Sequence, residues 1–451
     1  MKGHAIRRLS PAQIVIVGFL LLILAGAGLL SLPIATRTRE ATPFFDALFT
    51  ATSATCVTGL VVRDTASHWS GFGQAVILCL IQIGGMGVVT MAIAVSLFTG
   101  RRIGIGQRYL MQESISAPQV GGIVRMTGFI LRATLLMELC GAALLALRFC
   151  TMPEIGFFRG LWYGLFHSVS AFCNAGFDLM GTPDAPFQSL VGFSGDVLIN
   201  VVVMLLIVVG GLGFFVWDDL RTNRFHVRAW RLHTKLVLLA TAGLIVLPAL
   251  FFVLYEFGQP AWAGLTPGER ALAGAFQSVT PRTAGFNTVD LTRLSGVSVL
   301  LMIPLMLIGG SPGSTAGGVK TTTFVALLLS VRAAFRRKES VQCFGRRLQG
   351  DALRNAAALA MLYLLLFFLS GVLLCCVDGV TVRDALFETA SAIGTVGLSM
   401  GITPQLSRIS QFALILLMYF GRVGGLTLLY AVAGVQAVVP AQAPQERVTI
   451  G

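Results

Sequence analysis

Long apolar segments recur in pairs along this chain, and a shorter, less apolar segment lies between the two members of each pair. The eight long segments are 14–32, 75–97, 123–149, 197–217, 236–255, 297–335, 352–377 and 412–439. A run of about 20 apolar residues is long enough to cross a bilayer as a helix. The pattern therefore predicts an all-α polytopic membrane protein with eight spans and with both termini on the same side.

The short segments between the paired spans are four copies of one sequence unit. The tetrapeptide Asp-Ala-Leu-Phe at 46–49 returns unchanged at 384–387, and in both copies a glycine follows the phenylalanine by ten residues. The second copy keeps this spacing and the third is one residue shorter. The four copies end at Gly59, Gly176, Gly285 and Gly397. Four ordinary extracellular loops, the alternative, would not keep this offset.

Each unit has roughly 10 to 14 moderately apolar residues before its glycine, which is too few to span a bilayer. A re-entrant helix fits this length. Irregular backbone after such a helix is tolerated at membrane depth only where it is buried in protein or lines a cavity. Four repeats of span, re-entrant pore helix and span therefore predict pseudo-fourfold symmetry around one pore.

The distribution of charge orients the chain. Only 12% of the residues are charged, against about 25% in soluble proteins, and the net charge is +13. Lysine and arginine concentrate in the connections between repeats, at 101–108, 221–235 and 332–354. Because basic loops stay in the cytosol, both termini are predicted to be cytosolic and the pore helices to enter from outside. This placement explains the positive charge without a nucleic-acid partner.

These observations give the predicted organisation of the chain. It consists of a cytosolic N-terminus at 1–13, repeats at 14–100, 123–220, 234–338 and 352–439, and a C-terminal tail at 440–451. The eight cysteines show no CxxC spacing and are interpreted as packing residues within apolar spans.

The residues leading into each glycine indicate the chemistry of the pore. A helix that enters from outside points its C-terminal end, with about half a negative charge, toward the pore, which favours a cation. The residues there are mostly small and uncharged, so backbone carbonyls rather than carboxylates would replace the water around the ion. Glycine permits the positive φ that lets successive carbonyls aim at the axis. The predicted filter consists of Thr55, Cys56, Val57, Thr58, Gly59, Cys173, Asn174, Ala175, Gly176, Thr283, Ala284, Gly285, Thr395, Val396 and Gly397.

Two of these loops carry a family resemblance. The sequences SVSAFCNAGF at 168–177 and SVTPRTAGFN at 278–287 resemble the second and third filter loops of the membrane subunit of bacterial Ktr-type potassium uptake systems, in the Trk/Ktr/HKT superfamily. The resemblance covers essentially the whole chain. It implies potassium uptake by a channel-like translocating subunit in the bacterial inner membrane, with potassium held by the backbone carbonyls of the filter.

The resemblance also implies partners. The ending ERVTIG at 446–451 resembles the Ktr C-terminus, which packs at a subunit interface, and this predicts a homodimer with one pore in each protomer. A cytosolic ring of nucleotide-binding, RCK-type (KtrA-like) regulatory subunits would dock on the cytosolic face. The other expected contact is membrane lipid. No organic cofactor is expected in this chain. Each copy has a single glycine at the filter position, which leaves sodium open as a second permeating ion.

The second span of the third repeat contains a segment that cannot be a continuous helix. Five glycines and one proline fall within ten residues there, and each glycine costs about 1 kcal/mol in a helix and proline about 3 kcal/mol. The segment resembles the family's intramembrane gating loop. A nucleotide-binding loop is excluded because Val319 precedes Lys320, which shifts the Walker spacing by one residue. An external hairpin would break the topology. The predicted gate is Gly309, Gly310, Ser311, Pro312, Gly313, Ser314, Thr315, Ala316, Gly317 and Gly318.

Arg422 is the second departure from the repeat. The other second spans carry a glycine at this position, next to a first glycine that all four share. An arginine in the middle of a span costs about 2.5–3.5 kcal/mol and must face protein or water. We interpret Arg422 as an electrostatic barrier below the filter, and pairing with a carboxylate between helices is the alternative.

Two other functions were weighed. A sodium- or proton-coupled secondary transporter would also contain repeats, but these often have inverted topology, whereas the repeats here are parallel. An intramembrane enzyme would need a nucleophile and base or a set of metal ligands, and the sequence offers neither. The prediction is a transport protein and not an enzyme.

Overall fold

The computed structural model describes residues 10–87, 90–91, 123–224, 226–338 and 340–425. Several predictions lie outside these residues: most of the N-terminal segment 1–13, the basic connection at 101–108, the end of the fourth repeat and the tail at 440–451.

Each unit contains a first helix, a pore helix and a second helix. The first helices are Pro11–Leu30, Ile123–Phe149, Leu232–Phe251 and Gly350–Asp378. The pore helices are Phe44–Thr55, Phe157–Phe172, Pro267–Val279 and Val382–Gly394. The second helices are Gly71–Met86, Val197–Leu212, Gly296–Leu307 and Arg408–Val423. Two further helices, Phe214–Asn223 and Thr321–Phe335, continue the second and third units.

Local sequence fixes where several helices begin. Ser10 and Gln13 form a capping box at the start of the chain's first helix, and Thr266 and Glu269 form another before the third pore helix. Each such pair satisfies backbone N–H groups that a helix N-terminus leaves without partners. Side-chain caps also start all four second helices, at Ser70, Asp196, Ser295 and Ser407.

The four first helices account for the clearest membrane spans. Among the described residues, four helices are long and apolar enough to cross a membrane, or five if the pair bent at Gly213 forms one span. The four are Ala12–Leu30, Val124–Phe149, Leu232–Glu256 and Gly350–Asp378. Leu21, Leu147 and Leu247, one on each of three first helices, are exposed at their surfaces, as expected for side chains that face lipid.

The pore helices form the centre of the molecule. Each carries a fully buried phenylalanine at the repeat position, namely Phe49, Phe166, Phe276 and Phe387. The repeated phenylalanine is therefore a core residue of each pore helix.

Short elements complete the described part of the chain. They are the helix Thr65–His68, the 3-10 turns Pro33–Ala35, Val191–Phe193, Pro260–Trp262, Leu291–Arg293 and Thr403–Gln405, and the π turn Phe252–Glu256. Strands Gln342–Cys343 and Arg346–Arg347 pair antiparallel in a small hairpin between the third and fourth units.

The second helices differ from the predicted spans. The sequence predicts one span at 197–217, whereas the structure divides this segment into two helices that meet at an angle of 91° at Gly213. The second helices of the first and fourth units also end at a glycine, at Gly87 and Gly424. The three glycines have φ of 92°, 87° and 90°, a region that L side chains rarely adopt. The same glycine recurs because Gly-x-x-Gly occurs in all three units, as Gly-Gly-x-Gly at 84–87 and 210–213 and with arginine as its second residue at 421–424.

Candidate functional site

The four repeat glycines meet in a closed ring. Each glycine packs against the carbonyl oxygen of the residue just before the next glycine, in the order first, second, third, fourth and back to first. A Cβ built on Gly59, Gly176, Gly285 and Gly397 would lie 2.5, 2.7, 2.4 and 2.1 Å from the carbonyl oxygens of Ala175, Ala284, Val396 and Thr58, respectively. These distances are too short for any side chain, so only glycine closes the ring.

The backbone of all four loops has the same handedness pattern. The residue two positions before each glycine has positive φ although it is not glycine: 51° at Val57, 57° at Asn174, 62° at Thr283 and 51° at Thr395. The glycines themselves have φ of 94°, 69°, 79° and 92° in chain order. Left-handed backbone at a non-glycine residue costs about 1–3 kcal/mol and is typical of ligand clamps. Four equivalent strained positions therefore indicate a shared purpose.

Hydroxyl groups on the pore helices hold the loops in two different ways. In the first and fourth units the glycine N–H donates to a serine, from Gly59 to Ser53 and from Gly397 to Ser391, both at 3.0 Å. In the other two units the hydroxyl donates to the carbonyl of the phenylalanine after the glycine. These bonds are Ser170 to Phe177 at 2.7 Å and Thr280 to Phe286 at 2.6 Å.

A cavity of about 280 Å³ lies on one face of the ring, which we call the outer face, and all four ring glycines line it. Oxygen-bearing side chains of Asp64, Asp178, Asn287 and Ser399 also face this cavity. The ring thus opens outward into a polar vestibule large enough for a partly hydrated small cation.

The first glycine of each Gly-Gly pair allows a second helix to touch the end of a pore helix. A Cβ on Gly84, Gly210 or Gly421 would lie 1.9, 2.0 or 2.2 Å from the carbonyl oxygen of Thr55, Phe172 or Ile393. Those three carbonyls stand four residues before the ring glycines. In the third unit, Gly309 instead meets the Gly317 carbonyl, at 2.1 Å, within its own loop.

The loop at 309–318 separates two helices, of which one ends at Leu307 and the next begins at Thr321. The two ends of the loop lie together, because Gly309 N donates to Val319 O at 2.8 Å. The middle of the loop packs on the bend of the second unit. Phe214 N donates to Gly313 O at 2.7 Å, and Ser311 N donates to Gly211 O at 3.0 Å.

The same loop contacts the inner side of two glycine loops on opposite sides of the ring. Thr315 Oγ1 donates to Phe172 O, and it is also 3.0 Å from Asn174 Oδ1. On the other side, a Cβ on Gly317 would lie 2.2 Å from Thr395 Oγ1. The loop therefore lies across the inner side of the ring, between the second and fourth units.

Arg422 connects three parts of the site. Its guanidinium donates to the carbonyls of Gly84, at 2.5 Å, and Gly85, at 2.7 Å, and to the carbonyl of Thr315. Its partners are thus backbone oxygens of the first unit and of the 309–318 loop. Among the described residues, no carboxylate forms the ion pair with Arg422 that the alternative interpretation requires.

Sequence reasoning missed two features of this site. Asn174 joins three segments, because its Nδ2 donates to Arg282 O at 3.2 Å and to Ile207 O at 3.4 Å while its Oδ1 faces Thr315. No signal in a single sequence marks that role. The positive-φ glycines that end three second helices could have been predicted from the Gly-x-x-Gly spacing that the first, second and fourth units share.

Cys173, one of the predicted filter residues, directs its side chain to neighbouring helices. Its Sγ lies 3.8 Å from both Gln82 Oε1 and Glu138 Oε1. At this position the backbone is therefore the part of the residue that is left to act at the ring.

Comparisons with known proteins agree on a family. The TrkH family, described as a cation transport protein, matches residues 10–436. The chain is 38% identical to the potassium/sodium uptake protein NtpJ of Enterococcus hirae, over 100% of this chain and 99% of that protein. It is 39% identical to the Ktr system potassium uptake protein B of Bacillus subtilis, over 94% of each.

A solved structure shows the same fold. The crystal structure of the potassium transporter TrkH from Vibrio parahaemolyticus matches with a TM-score of 0.72 and 19% sequence identity, over 95% of this chain and 86% of that one. The likeness confirms the predicted all-α polytopic architecture with its pseudo-fourfold repeat. The sequence relatives confirm the resemblance to the Trk/Ktr/HKT superfamily.

Proposed function

The chain belongs to the TrkH family of cation transport proteins, and on that premise we propose that it is the channel-like translocating subunit of a Ktr-type potassium uptake system. Members of this family are transporters of the cell membrane and not enzymes. The observation that carries the proposal is the closed ring of four glycines, each packed on the peptide oxygen of the next unit.

The ring would act as the filter. Alternating handedness turns successive carbonyls to one side of each loop, and four loops around one axis give the oxygen cage that replaces the water of a monovalent cation. Potassium would bind to the backbone oxygens of residues 55–59, 173–176, 283–285 and 395–397. Uptake would follow the membrane potential, which supplies about 2.3 kcal/mol per charge per 100 mV.

The 309–318 loop would act as the gate. It lies across the inner side of the ring and is held by neutral hydrogen bonds to the second unit and by Arg422. Arg422 would contribute in two ways, as a positive charge below the filter that opposes leak and as a tether on Thr315. Both roles need the guanidinium where the carbonyls of Gly84 and Gly85 hold it.

The proposed assembly follows the Ktr relatives. It is a homodimer in the bacterial inner membrane, with both termini in the cytosol. A cytosolic ring of nucleotide-binding RCK-type subunits binds the cytosolic face of the dimer and moves the 309–318 loop. Sodium is proposed as a second permeating ion, since one relative is named a potassium/sodium uptake protein.

The direct test is rescue of a potassium-uptake-deficient bacterium at low external potassium. Expression of this chain should restore growth. Gly285→Ser should abolish it, because a Cβ at this position would lie 2.4 Å from Val396 O and no L side chain tolerates φ of 79° easily.

The matched control is Gly264→Ser, at an extracellular position where an added Cβ meets nothing within 4 Å. The control should grow like the wild type. Growth of the Gly285→Ser strain at the wild-type rate would refute a filter built on the ring, and failure of the wild-type chain to rescue would refute potassium uptake by this chain alone.

A further inference from the structure

Each pore helix carries a buried polar side chain behind its glycine loop. The position lies nine residues before the ring glycine in the first, second and fourth units and eight residues before it in the shorter third unit. All four side chains are completely buried, and none of them belongs to the ring. They are Thr50, His167, Gln277 and Glu388.

In the second and fourth units this side chain binds the extended segment that follows the ring glycine on the outer face, called here the outer segment. Leu179 N donates to His167 Nε2 at 3.3 Å, and Met400 N donates to Glu388 Oε1 at 3.1 Å. Leu179 and Met400 both stand three residues after their ring glycine. His167 Nδ1 donates to Tyr163 O at 2.7 Å, so the imidazole is neutral and both of its nitrogens are engaged.

Glu388 makes the more extensive set of contacts. In addition to Met400, the hydroxyl of Ser399 donates to Oε1 and the hydroxyl of Thr403 donates to Oε2 at 2.9 Å. Hydrogen bonds to a carboxylate are about twice as strong as neutral ones. Since Ser399 also lines the vestibule, Glu388 fixes the outer segment of the fourth loop where that segment borders the ion pathway.

The other two units direct this side chain elsewhere. Thr50 Oγ1 donates to the Asp46 carbonyl of its own helix at 3.0 Å. Gln277 Nε2 points to Met302 Sδ at 3.1 Å. Because the units follow one another around the ring, the second and fourth lie opposite each other, so the two braces act across one diagonal.

We propose that Glu388, with His167 opposite it, is a positioning residue that sets the width of the glycine ring and thereby the discrimination of potassium from sodium. The fourth loop is well placed for this role, because Val396 O touches Gly285 and Gly397 touches the first unit. A shift of the outer segment of the fourth loop would therefore also move the loops of the first and third units. Selectivity in carbonyl filters depends on cage size and on the field of the coordinating oxygens. The inference rests on the proposed filter.

The test compares Glu388→Ala with Glu388→Gln in proteoliposomes of the purified chain, with potassium and sodium uptake measured under one membrane potential. In the alanine variant the potassium-to-sodium ratio should fall about tenfold, equivalent to about 1.4 kcal/mol. Glutamine should keep most of the ratio, since its amide oxygen can accept from Ser399 and Met400 and its amide nitrogen can donate to Thr403.

The matched control is Glu256→Ala. Glu256 is also a buried carboxylate with several donors, the hydroxyls of Ser295 and Ser298 and the indole of Trp262, but it lies outside the ring and its braces. Its loss should lower the melting temperature and leave the ion ratio unchanged. An equal loss of discrimination in both alanine variants would mean general loosening and would overturn the role of Glu388.

Ser399→Ala keeps the proposal testable where Glu388→Ala does not fold, because it removes a single donor; a smaller fall in the ratio is expected. An unchanged ratio in Glu388→Ala, or in Ser399→Ala when only that variant folds, would overturn the inference while leaving potassium uptake intact. A wild-type chain without potassium uptake would instead overturn the proposed function, and with it this inference.

Discussion

The outer and inner ends of the four units follow different rules. At the outer end the loops at the ring glycines are near copies, with the same two left-handed positions and the same contact to the next unit. At the inner end the second helices of the first, second and fourth units each end at a glycine with positive φ. The second helix of the third unit instead opens into the 309–318 loop, and the second helix of the fourth unit carries Arg422. The backbone is symmetric where it must surround an axis, and the 309–318 loop and Arg422, each present in a single unit, lie below it.

The symmetric half should be the less tolerant of change. Gly84→Ala would place a Cβ 1.9 Å from the Thr55 carbonyl, and the second helix would have to move away from the pore helix. Overpacking costs about 1–3 kcal/mol or more, so we expect a loss of about 3 kcal/mol and little folded protein, measured by thermal unfolding in detergent. Gly243→Ala, in a first helix with nothing within 4 Å, is the control and should not lower the melting temperature. Equal melting temperatures for the two variants would contradict the close contact.

The asymmetric half should tolerate change in folding but not in flux. Deleting 312–314 removes the Gly313 carbonyl that Phe214 binds and shortens the loop below the ring. We expect potassium flux through proteoliposomes to rise about tenfold, the effect of lowering a barrier by about 1.4 kcal/mol.

Deleting 183–185, in a largely exposed turn, serves as the control for that measurement and should leave flux unchanged. Flux at or below the wild-type level after the 312–314 deletion would argue against a gate.

Arg422 gives the smallest expected effect, because the loop keeps its contacts to the second unit when the arginine is removed. Arg422→Ala should raise potassium flux about threefold, equivalent to about 0.6 kcal/mol. The potassium flux of Arg422→Lys should lie between those of the wild type and Arg422→Ala. Lysine retains the charge, but its single ammonium group cannot reproduce the planar guanidinium that reaches Gly85 and Thr315 together. If Arg422→Ala conducts like the wild type, neither the barrier nor the tether is needed.

Much of the architecture could be predicted from the sequence because it is repeated. The unchanged tetrapeptide at 46–49 and 384–387 and the ten-residue distance to the glycine in three of the four copies define the unit. The break at 309–318 was predictable from helix propensity, since the summed cost of five glycines and one proline in ten residues is too large for a continuous helix.

What could not be predicted depends on contacts between distant segments. One such contact joins Gly213 to the 309–318 loop, where a Cβ on Gly213 would lie 2.6 Å from Pro312 O. Likewise, Asn174 and Glu388 are ordinary polar residues in sequence. The partners of the Asn174 amide nitrogen are 33 and 108 residues away, and the partners of Glu388 are 11 to 15 residues away. Only folding brings these groups together.

The ring is built from one polypeptide and not from four identical subunits, and this has a consequence for its evolution. In a channel of four identical chains, any substitution near the axis appears four times at once, so four arginines would have to be accommodated where this protein has one. Here each repeat is encoded separately, so a substitution in one repeat leaves the other three unchanged. The third repeat could therefore contain the 309–318 loop and the fourth could contain an arginine at 422, while the ring glycines of all four repeats were kept.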